Sequence, residues 1–505
     1  MFSIKPLLWQ HQLAALGKSE AAPVFALFMD PRTGKTRVII ENAHWLVREK
    51  GLNALAIIAP NGVHRNWVTD ELPAWADFKY EAHVWRSATS TRAEQVEQRA
   101  ALLATSSIAV LAVNVEALRL DRCFKYFQQF LRERKAMLVI DESQVIATPG
   151  AAQTKRARVL GKHAAWRRIL TGTPATESPF QLYSQFAFLD MNIIGTRTYA
   201  EFKAHYGEWE QGYAYHQGRT YPKVVSYRNV DELMKKIAPY TFRQRREDCT
   251  DLPRKVYQKI YFQLTAPQRA AYDQVRDEAK TDLHDGRAVS ASTVLAKMLR
   301  LQQITSNYWP AATEVRWHEP CDGEGCEGCG FLGIIEKDVP ATEIDPTKNA
   351  RLDAVAPTIL EELNRGGSII MWCRFKHDVE QVMRWARATA FTAVARYDGT
   401  VAAKARDTAR LAFREKQVHL LAATSAAARG LDFSTATMML YYSNNFSLEQ
   451  RIQSEDRAEA HTRPTGTQVI DVVAEDTVDA TIVEALRAKR SLADMIAGDP
   501  AREWI

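Results

Sequence analysis

The sequence predicts an α/β protein of two parallel-sheet lobes with a mostly helical insertion between them. Three observations carry that expectation. Short apolar runs alternate with polar, helix-like stretches, the pattern of strands covered on both faces by helices. The runs cease after about residue 190 and resume near 365. The chain has 505 residues, enough for roughly two to four domains that each bury a core. The expected division is 1–190 for the first lobe, 191–345 for the insertion and 346–505 for the second lobe.

In the first lobe, strands are expected at Phe25–Met29, Ala54–Ala59, Ile108–Val113 and Met137–Ile140, with another ending at Leu170. The second lobe repeats the pattern at Ser368–Trp372, His419–Ala422, Met438–Tyr442 and Gln468–Val473. Between them, Asn229–Lys236 and Thr265–Lys280 read as charged helices. No short-period repeat is evident, which excludes a solenoid.

Composition narrows the function classes. With 46% hydrophobic and 25% charged residues, the chain is not a disordered one. A net charge of +6 permits a polyanionic partner without demanding one. No stretch of eighteen apolar residues occurs, and the start, MFSIKPLLWQHQLAAL, lacks a signal-peptide layout. A cytoplasmic protein with no membrane partner is therefore expected. Six cysteines in 505 residues cannot form a disulfide scaffold, and the grouping of Cys321, Cys326 and Cys329 points to metal.

The first chemical motif follows the first strand. Asp30-Pro31-Arg32-Thr33-Gly34-Lys35-Thr36 leads into a helix-like Arg37–Glu49. A strand, a tight turn and a helix opening at Lys-Thr make a phosphate cradle. Backbone N–H groups face the anion, Lys35 reaches the outer phosphates, and Thr36 ligates Mg²⁺. Met29 stands where such loops usually begin with glycine. The second motif is Asp141-Glu142 at the end of an apolar run, where α/β sheets bind ligands. There Asp141 would hold Mg²⁺, directly or through water, and Glu142 would orient water and accept its proton.

Further strings follow in a recognisable order. Gln12 lies in Trp9-Gln10-His11-Gln12, Trp67 follows Ile58-Ala59-Pro60, and Gln144 closes Asp141-Glu142-Ser143-Gln144. Leu170-Thr171-Gly172-Thr173-Pro174 precedes Gln181-Leu182-Tyr183, and Leu299-Arg300-Leu301-Gln302-Gln303-Ile304 falls in the insertion. The second lobe has Ala423-Thr424 through Arg429-Gly430-Leu431-Asp432, then Gln453 and Arg457. With this set, nearly the whole chain resembles the Swi/Snf-like ATPases of helicase superfamily two, particularly the compact kind found in phages. The resemblance implies two RecA-like, P-loop lobes with ATP in the cleft between them. By the same resemblance, Gln12 reads adenine, and Arg32, Thr33, Gly34, Lys35, Thr36, Gly430, Asp432 and Arg457 line the ATP site. Thr171 and Thr424 would touch nucleic acid.

Two departures from that family's pattern matter. Its last motif carries two arginines three apart, directed at the γ-phosphate; here Arg457 is kept and Ala460 fills the second place. An arginine finger contributes about 10³–10⁵ in turnover. Either His461 or Arg463 substitutes, or turnover is slow or lost. Arg429-Gly430-Leu431-Asp432 is similar to the DEAD-box form, which keeps RNA open as a substrate.

From Ser143 to Thr176 there is no acidic residue, while Lys155, Arg156, Arg158, Lys162, Arg167 and Arg168 are basic. Lys155, Arg158 and Lys162 share one helical face, a stripe suited to a phosphate backbone and equally to solvent. Arg243, Arg245 and Arg246 form a second basic group with the same two readings. Cys321, Cys326 and Cys329, with His318 as the nearest fourth ligand, have the spacing of a structural Zn²⁺ knuckle over 316–331. Reduced thiols on a glycine-rich loop are the alternative.

The expected protein is a nucleic-acid-stimulated ATP hydrolase acting on double-stranded DNA, with RNA or single-stranded DNA as alternatives. Lys35, Asp141, Glu142 and Arg457 are its expected catalytic residues. Unwinding is the rival within that class; outside it, the rival is a helicase-shaped binding module without turnover.

Overall fold

The structure, a computed structural model, describes residues 7–61, 63–176, 178–214, 219–245, 248–249, 255–284, 291–309, 312–317, 334–339, 342–389, 391–424, 433–457 and 466–496. The first-lobe strands are Val24–Met29 (β1), Ala54–Ala59 (β2), Tyr80–Val84 (β3), Ile108–Asn114 (β4), Ala136–Asp141 (β5) and Trp166–Thr171 (β6). A hairpin of Gly207–Ala214 (β7) and Arg219–Tyr227 (β8) follows, then Thr241–Gln244 (β9) and Val256–Phe262 (β10). Two small antiparallel pairs join Tyr308–Trp309 (β11) to Thr342–Glu343 (β14), and Ala312–Trp317 (β12) to Ile334–Val339 (β13). The second lobe has Ile369–Cys373 (β15), Val394–Tyr397 (β16), Leu420–Thr424 (β17), Met438–Tyr441 (β18) and Gln468–Ala474 (β19).

Seven strands form one parallel sheet in the order β3-β4-β2-β5-β6-β1-β9, and six form another in the order β10-β19-β18-β15-β17-β16. Every residue of β1, β2 and β5 is buried, because each face of the sheet has its own layer. Ala26 and Phe28 point into a cluster with Leu111, Leu138, Phe127 and Phe186. Phe25 and Leu27 point the other way, onto Ile39, Leu46, Ile57 and Val139. This period-two division explains continuous apolar runs, and each large side chain so buried contributes about 1.5–3 kcal/mol. Two further clusters cover the faces of the second sheet in the same way.

All nine expected strands are present, with ends shifted by a residue or two, and all nine lie inside the sheets. The four that the pattern misses in these sheets, β3, β9, β10 and β16, are their four edges. An edge strand has one hydrogen-bonded neighbour and thinner cover, so it needs no continuous apolar run. Val256, Gln258 and Tyr261 of β10 are exposed accordingly.

The stretch 191–345 is less helical than expected and is tied to both sheets. It supplies β9 to the first sheet and β10 to the second. Its helices Ala266–His284 and Ala291–Thr305 pack through Tyr272, Leu301 and Ile304 against Val478, Ile482 and Leu486 of the helix Val478–Ile496. Among the described residues no helix is long and apolar enough to cross a membrane.

Arg168 of β6 fastens the first lobe from inside. It is fully buried. Its guanidinium donates to Asn42 Oδ1 at 3.0 Å and to the carbonyls of Ser19 at 2.9 Å, Ala22 at 2.8 Å and Pro23 at 3.3 Å. Burial lowers its pKa to about 9, which still leaves it charged at neutral pH. Arg168→Met strips donors from several buried acceptors at once, and should cost about 2–4 kcal/mol of first-lobe stability in urea unfolding. A loss below about 1 kcal/mol would show that water replaces it.

Candidate nucleotide-binding cleft

The turns after β1, β5 and β6 meet at one edge of the first sheet. After β1, the chain bends through left-handed backbone at Arg32, φ 64°, and Gly34, φ 87°. Thr33 closes the turn on the Asp30 carbonyl with its hydroxyl at 2.7 Å and its N–H at 3.3 Å. Asp30 is fixed by β9: its N–H donates to the Gln244 carbonyl at 3.0 Å, and its carboxylate accepts from Arg243 at 2.9 Å. Gly34 then caps the helix Lys35–Lys50. A Cβ at Gly34 would lie 2.2 Å from the movable end of Gln12, at Nε2, so it is the left-handed φ that calls for glycine here. Gln12 Nε2 donates to the Thr33 carbonyl at 3.2 Å, and His11 Nε2 lies 2.8 Å from the same oxygen. Lys35 Nζ folds onto the Met29 carbonyl at 2.7 Å, leaving Thr36 beside it in the first helical turn.

β5 ends on Asp141, and Glu142 follows with φ 50°, a strained value for a residue with a Cβ. Asp141 Oδ2 accepts from Trp67 Nε1 at 2.9 Å and Oδ1 from the Glu142 N–H at 3.0 Å. Burial, reinforced by the Glu142 charge, raises the Asp141 pKa to about 6, against the pull of Trp67 and Lys35. Gln144 ties the turns together. Its Nε2 donates to Glu142 Oε2 at 3.0 Å, and its Oε1 accepts from Thr171 Oγ1 at 2.7 Å. A Cβ on Gly172 would stand 2.6 Å from Pro31 Cδ, so the turn after β6 rests directly on the phosphate loop.

The helix Leu448–Arg457 of the second lobe reaches this edge. Gln144 Nε2 donates to Glu449 Oε1 at 3.4 Å, and an Arg32 guanidinium nitrogen donates to the Arg457 carbonyl at 3.0 Å. Arg451 anchors that helix to its own lobe. It is buried, pairs with Asp471 at 2.6 Å and Glu455 at 2.7 Å, and stacks 3.5 Å from the Tyr441 ring centroid.

Several expected residues lie outside the described ones: Gly430 and Asp432, Ala460, His461 and Arg463, Arg246, and His318, Cys321, Cys326 and Cys329. Among the described residues no group of three His, Cys, Asp or Glu is arranged to hold a metal ion.

The basic stripe is smaller than the sequence suggests. Lys155 and Lys162 are exposed and Arg158 half-buried, with Lys162 one residue past the helix Ala152–Gly161. Arg156, by contrast, binds the Leu118 carbonyl at 2.8 Å and the Asp121 carboxylate, and Arg168 is internal. Arg243 and Arg245 are paired with Asp30 and Asp248. Thr171, expected to touch a polymer, is fully buried here with its hydroxyl on Gln144, within the scaffold of the cleft. Thr424, half-buried, ends β17 beside Cys373. Near it, Arg374, Ser443, Asn444 and Asn445 line a shallow concavity of about 20 Å³. Sequence reasoning placed Gln144 in the acidic motif without giving it a role, and did not single out Arg374. The signal for both was position, within a few residues of the end of an apolar run, where strand-end turns collect functional groups.

The raised pKa of Asp141 has a stability consequence. Between the ordinary 3.8 and about 6 the folded state binds more protons than the unfolded, so stability falls as pH rises through that window. Above it the penalty is complete. Asp141→Asn should therefore raise the melting temperature of the nucleotide-free protein at pH 8 by about 2–4 °C per kcal/mol recovered, and leave it unchanged at pH 3.5. No gain at pH 8 would refute the desolvated carboxylate.

Residues 22–308 match the SNF2-related domain, and residues 350–459 the helicase conserved C-terminal domain. The uncharacterized ATP-dependent helicase MG018 of Mycoplasma genitalium is 21% identical over 446 residues, 88% of this chain and 37% of its own length. The probable ATP-dependent DNA helicase CHR12 of Arabidopsis thaliana is 22% identical over 474 residues, 91% of this chain and 39% of its own. The chain thus spans less than two fifths of the length of either relative. Among solved structures, the SWI2/SNF2 ATPase core of Sulfolobus solfataricus in complex with dsDNA is 20% identical, with 98% of this chain and 94% of that chain covered, at a TM-score of 0.40. With a family match over more than half of its length, the chain belongs to the SNF2-related domain family.

Proposed function

We propose that the protein is a nucleic-acid-stimulated ATP hydrolase that translocates on double-stranded DNA, binding and cleaving ATP between its two lobes. The observation that carries this reading is a convergence. A phosphate-type loop, a paired Asp141-Glu142 and a helix of the opposite lobe come together at one sheet edge.

In this reading the amides that open the helix at Lys35 hold the phosphates, and Lys35 leaves the Met29 carbonyl to reach the outer ones. Gln12, resting on Thr33, is assigned to adenine. A divalent cation suits the donors present: Asp141 is a desolvated carboxylate whose ionised form a nearby positive charge would restore, and Thr36 supplies a hydroxyl. When bound, Mg²⁺ neutralises charge on the phosphate oxygens. Glu142 orients a water and takes its proton as the water oxygen bonds to the γ-phosphorus and the bond to the ADP oxygen breaks. Gln144 steadies Glu142 for that task, and Arg457 offsets the charge that develops.

The name of one relative, a probable DNA helicase, supports DNA as the polymer. The exposed Lys155 and Lys162, with Arg158, offer sequence-independent phosphate contacts on the first lobe. Repeated closing of the cleft around ATP and reopening after hydrolysis would step the lobes along the duplex.

Phosphate release should rise with duplex DNA more than with single-stranded DNA or RNA. Lys35→Ala should lower it by about 100-fold or more, and comparable turnover in that variant would refute the pocket. Changing Lys155, Arg158 and Lys162 together to Ala should reduce the slope of log affinity against log salt by about two to three. An unchanged slope would return those side chains to solvent.

A further inference from the structure

Arg32 is an arginine where the backbone favours glycine. Its φ of 64° costs a residue with a Cβ about 1–2 kcal/mol, in a loop whose other left-handed residue, Gly34, is free of that penalty. Strain of this kind persists where the side chain has work to do. The Arg32 side chain is not turned out to solvent: it crosses the cleft and donates to the Arg457 carbonyl at 3.0 Å, 425 residues away in sequence. That carbonyl ends the helix Leu448–Arg457 and also accepts from the Phe433 N–H at 2.9 Å. A permanently charged, planar donor therefore sits at the seam between the lobes. It is carried by the loop that would cradle the triphosphate, three residues before Lys35.

By the family resemblance, Ala460 occupies the place where a second arginine would follow Arg457. With alanine at 460, the family's pattern leaves Arg457 alone in that motif to meet the charge of a γ-phosphoryl group in transfer.

We propose that Arg32 is the second arginine of this site, supplied from the phosphate loop itself rather than from the opposite lobe. It would touch the γ-phosphate oxygens and stabilise their charge as the water attacks and ADP leaves. The proposal rests on the reading of the cleft as an ATP site. It adds a coupling: the same guanidinium that binds the Arg457 carbonyl in this structure is drawn onto the phosphate as the phosphoryl group is transferred, and returns when phosphate has gone. Each turnover thereby makes and releases one bond between the lobes.

The test uses Arg32→Gly, which removes the side chain and relieves the backbone, so that folding is kept. Phosphate release with saturating duplex DNA should fall by about 100-fold or more. Affinity for a fluorescent ATP analogue should change by less than about fivefold, a difference of under ~1 kcal/mol. ADP with aluminium fluoride, which mimics the phosphoryl group in transfer, should be trapped by the parent protein and not by the variant. Arg32→Lys keeps charge without the fork and should recover only part of the loss. Turnover of Arg32→Gly within threefold of the parent, or undiminished trapping, would overturn the proposal. Lys35→Ala separates the two levels. If it too retains turnover, the ATP site is misassigned and the proposal falls with it; if it is inactive while Arg32→Gly is active, only the role of Arg32 is refuted.

Discussion

The left-handed bend of the phosphate loop is the constraint on which the cleft depends. Thr33 and Gly34 can follow β1 in this way only because Asp30 is pinned by Arg243 and Gln244 from β9. Gln12, for its part, fills the space that a Cβ on Gly34 would take. Pro31 carries the turn after β6 on its ring, and that turn, through Thr171, holds Gln144. Gln144 in turn holds Glu142 and touches Glu449 of the opposite lobe. A displacement of the loop by a few tenths of an ångström is therefore felt at the carboxylates and across the seam, because packed contacts of this kind transmit strain.

The second lobe answers with buried charge. Arg451, Asp471 and Glu455 fix the helix Leu448–Arg457 against β18 and β19, with Tyr441 beneath the guanidinium. A second buried pair, Arg351 with Asp479, joins the helix Ala350–Asn364 to Val478–Ile496, and Arg351 also bonds Thr305 at the end of Ala291–Thr305. Ion pairs this deep cost desolvation and gain from geometry. Their effect here is to make the helix that faces the cleft, the second sheet and the inserted helices one connected body. Movement of the seam then carries the insertion with it.

How much of this was legible in the chain follows a physical line. The interior strands could be read because two layers of side chains demand unbroken apolar runs; the edge strands β3, β9, β10 and β16 escaped because that demand is absent there. The phosphate loop and Asp141-Glu142 were legible because their chemistry is local: consecutive residues at the end of a strand. The basic residues were misleading as a group. Lys155 and Lys162 face water, but Arg168 is an internal fastener and Arg156 and Arg243 are held by carboxylates. Charge in a sequence does not say which way a side chain points.

The sequence by itself determined the two-lobed α/β architecture and singled out the strand-end strings Asp30–Thr36 and Asp141-Glu142. Those features are periodic or contiguous, so nearest neighbours along the chain are enough to define them. Only the tertiary structure decided that Thr171 is internal and that Gln144 joins three turns. It alone shows Arg32 reaching across the cleft to Arg457. Each of these depends on which residues distant in sequence are brought within a hydrogen bond of one another, and that is set by strand order and packing.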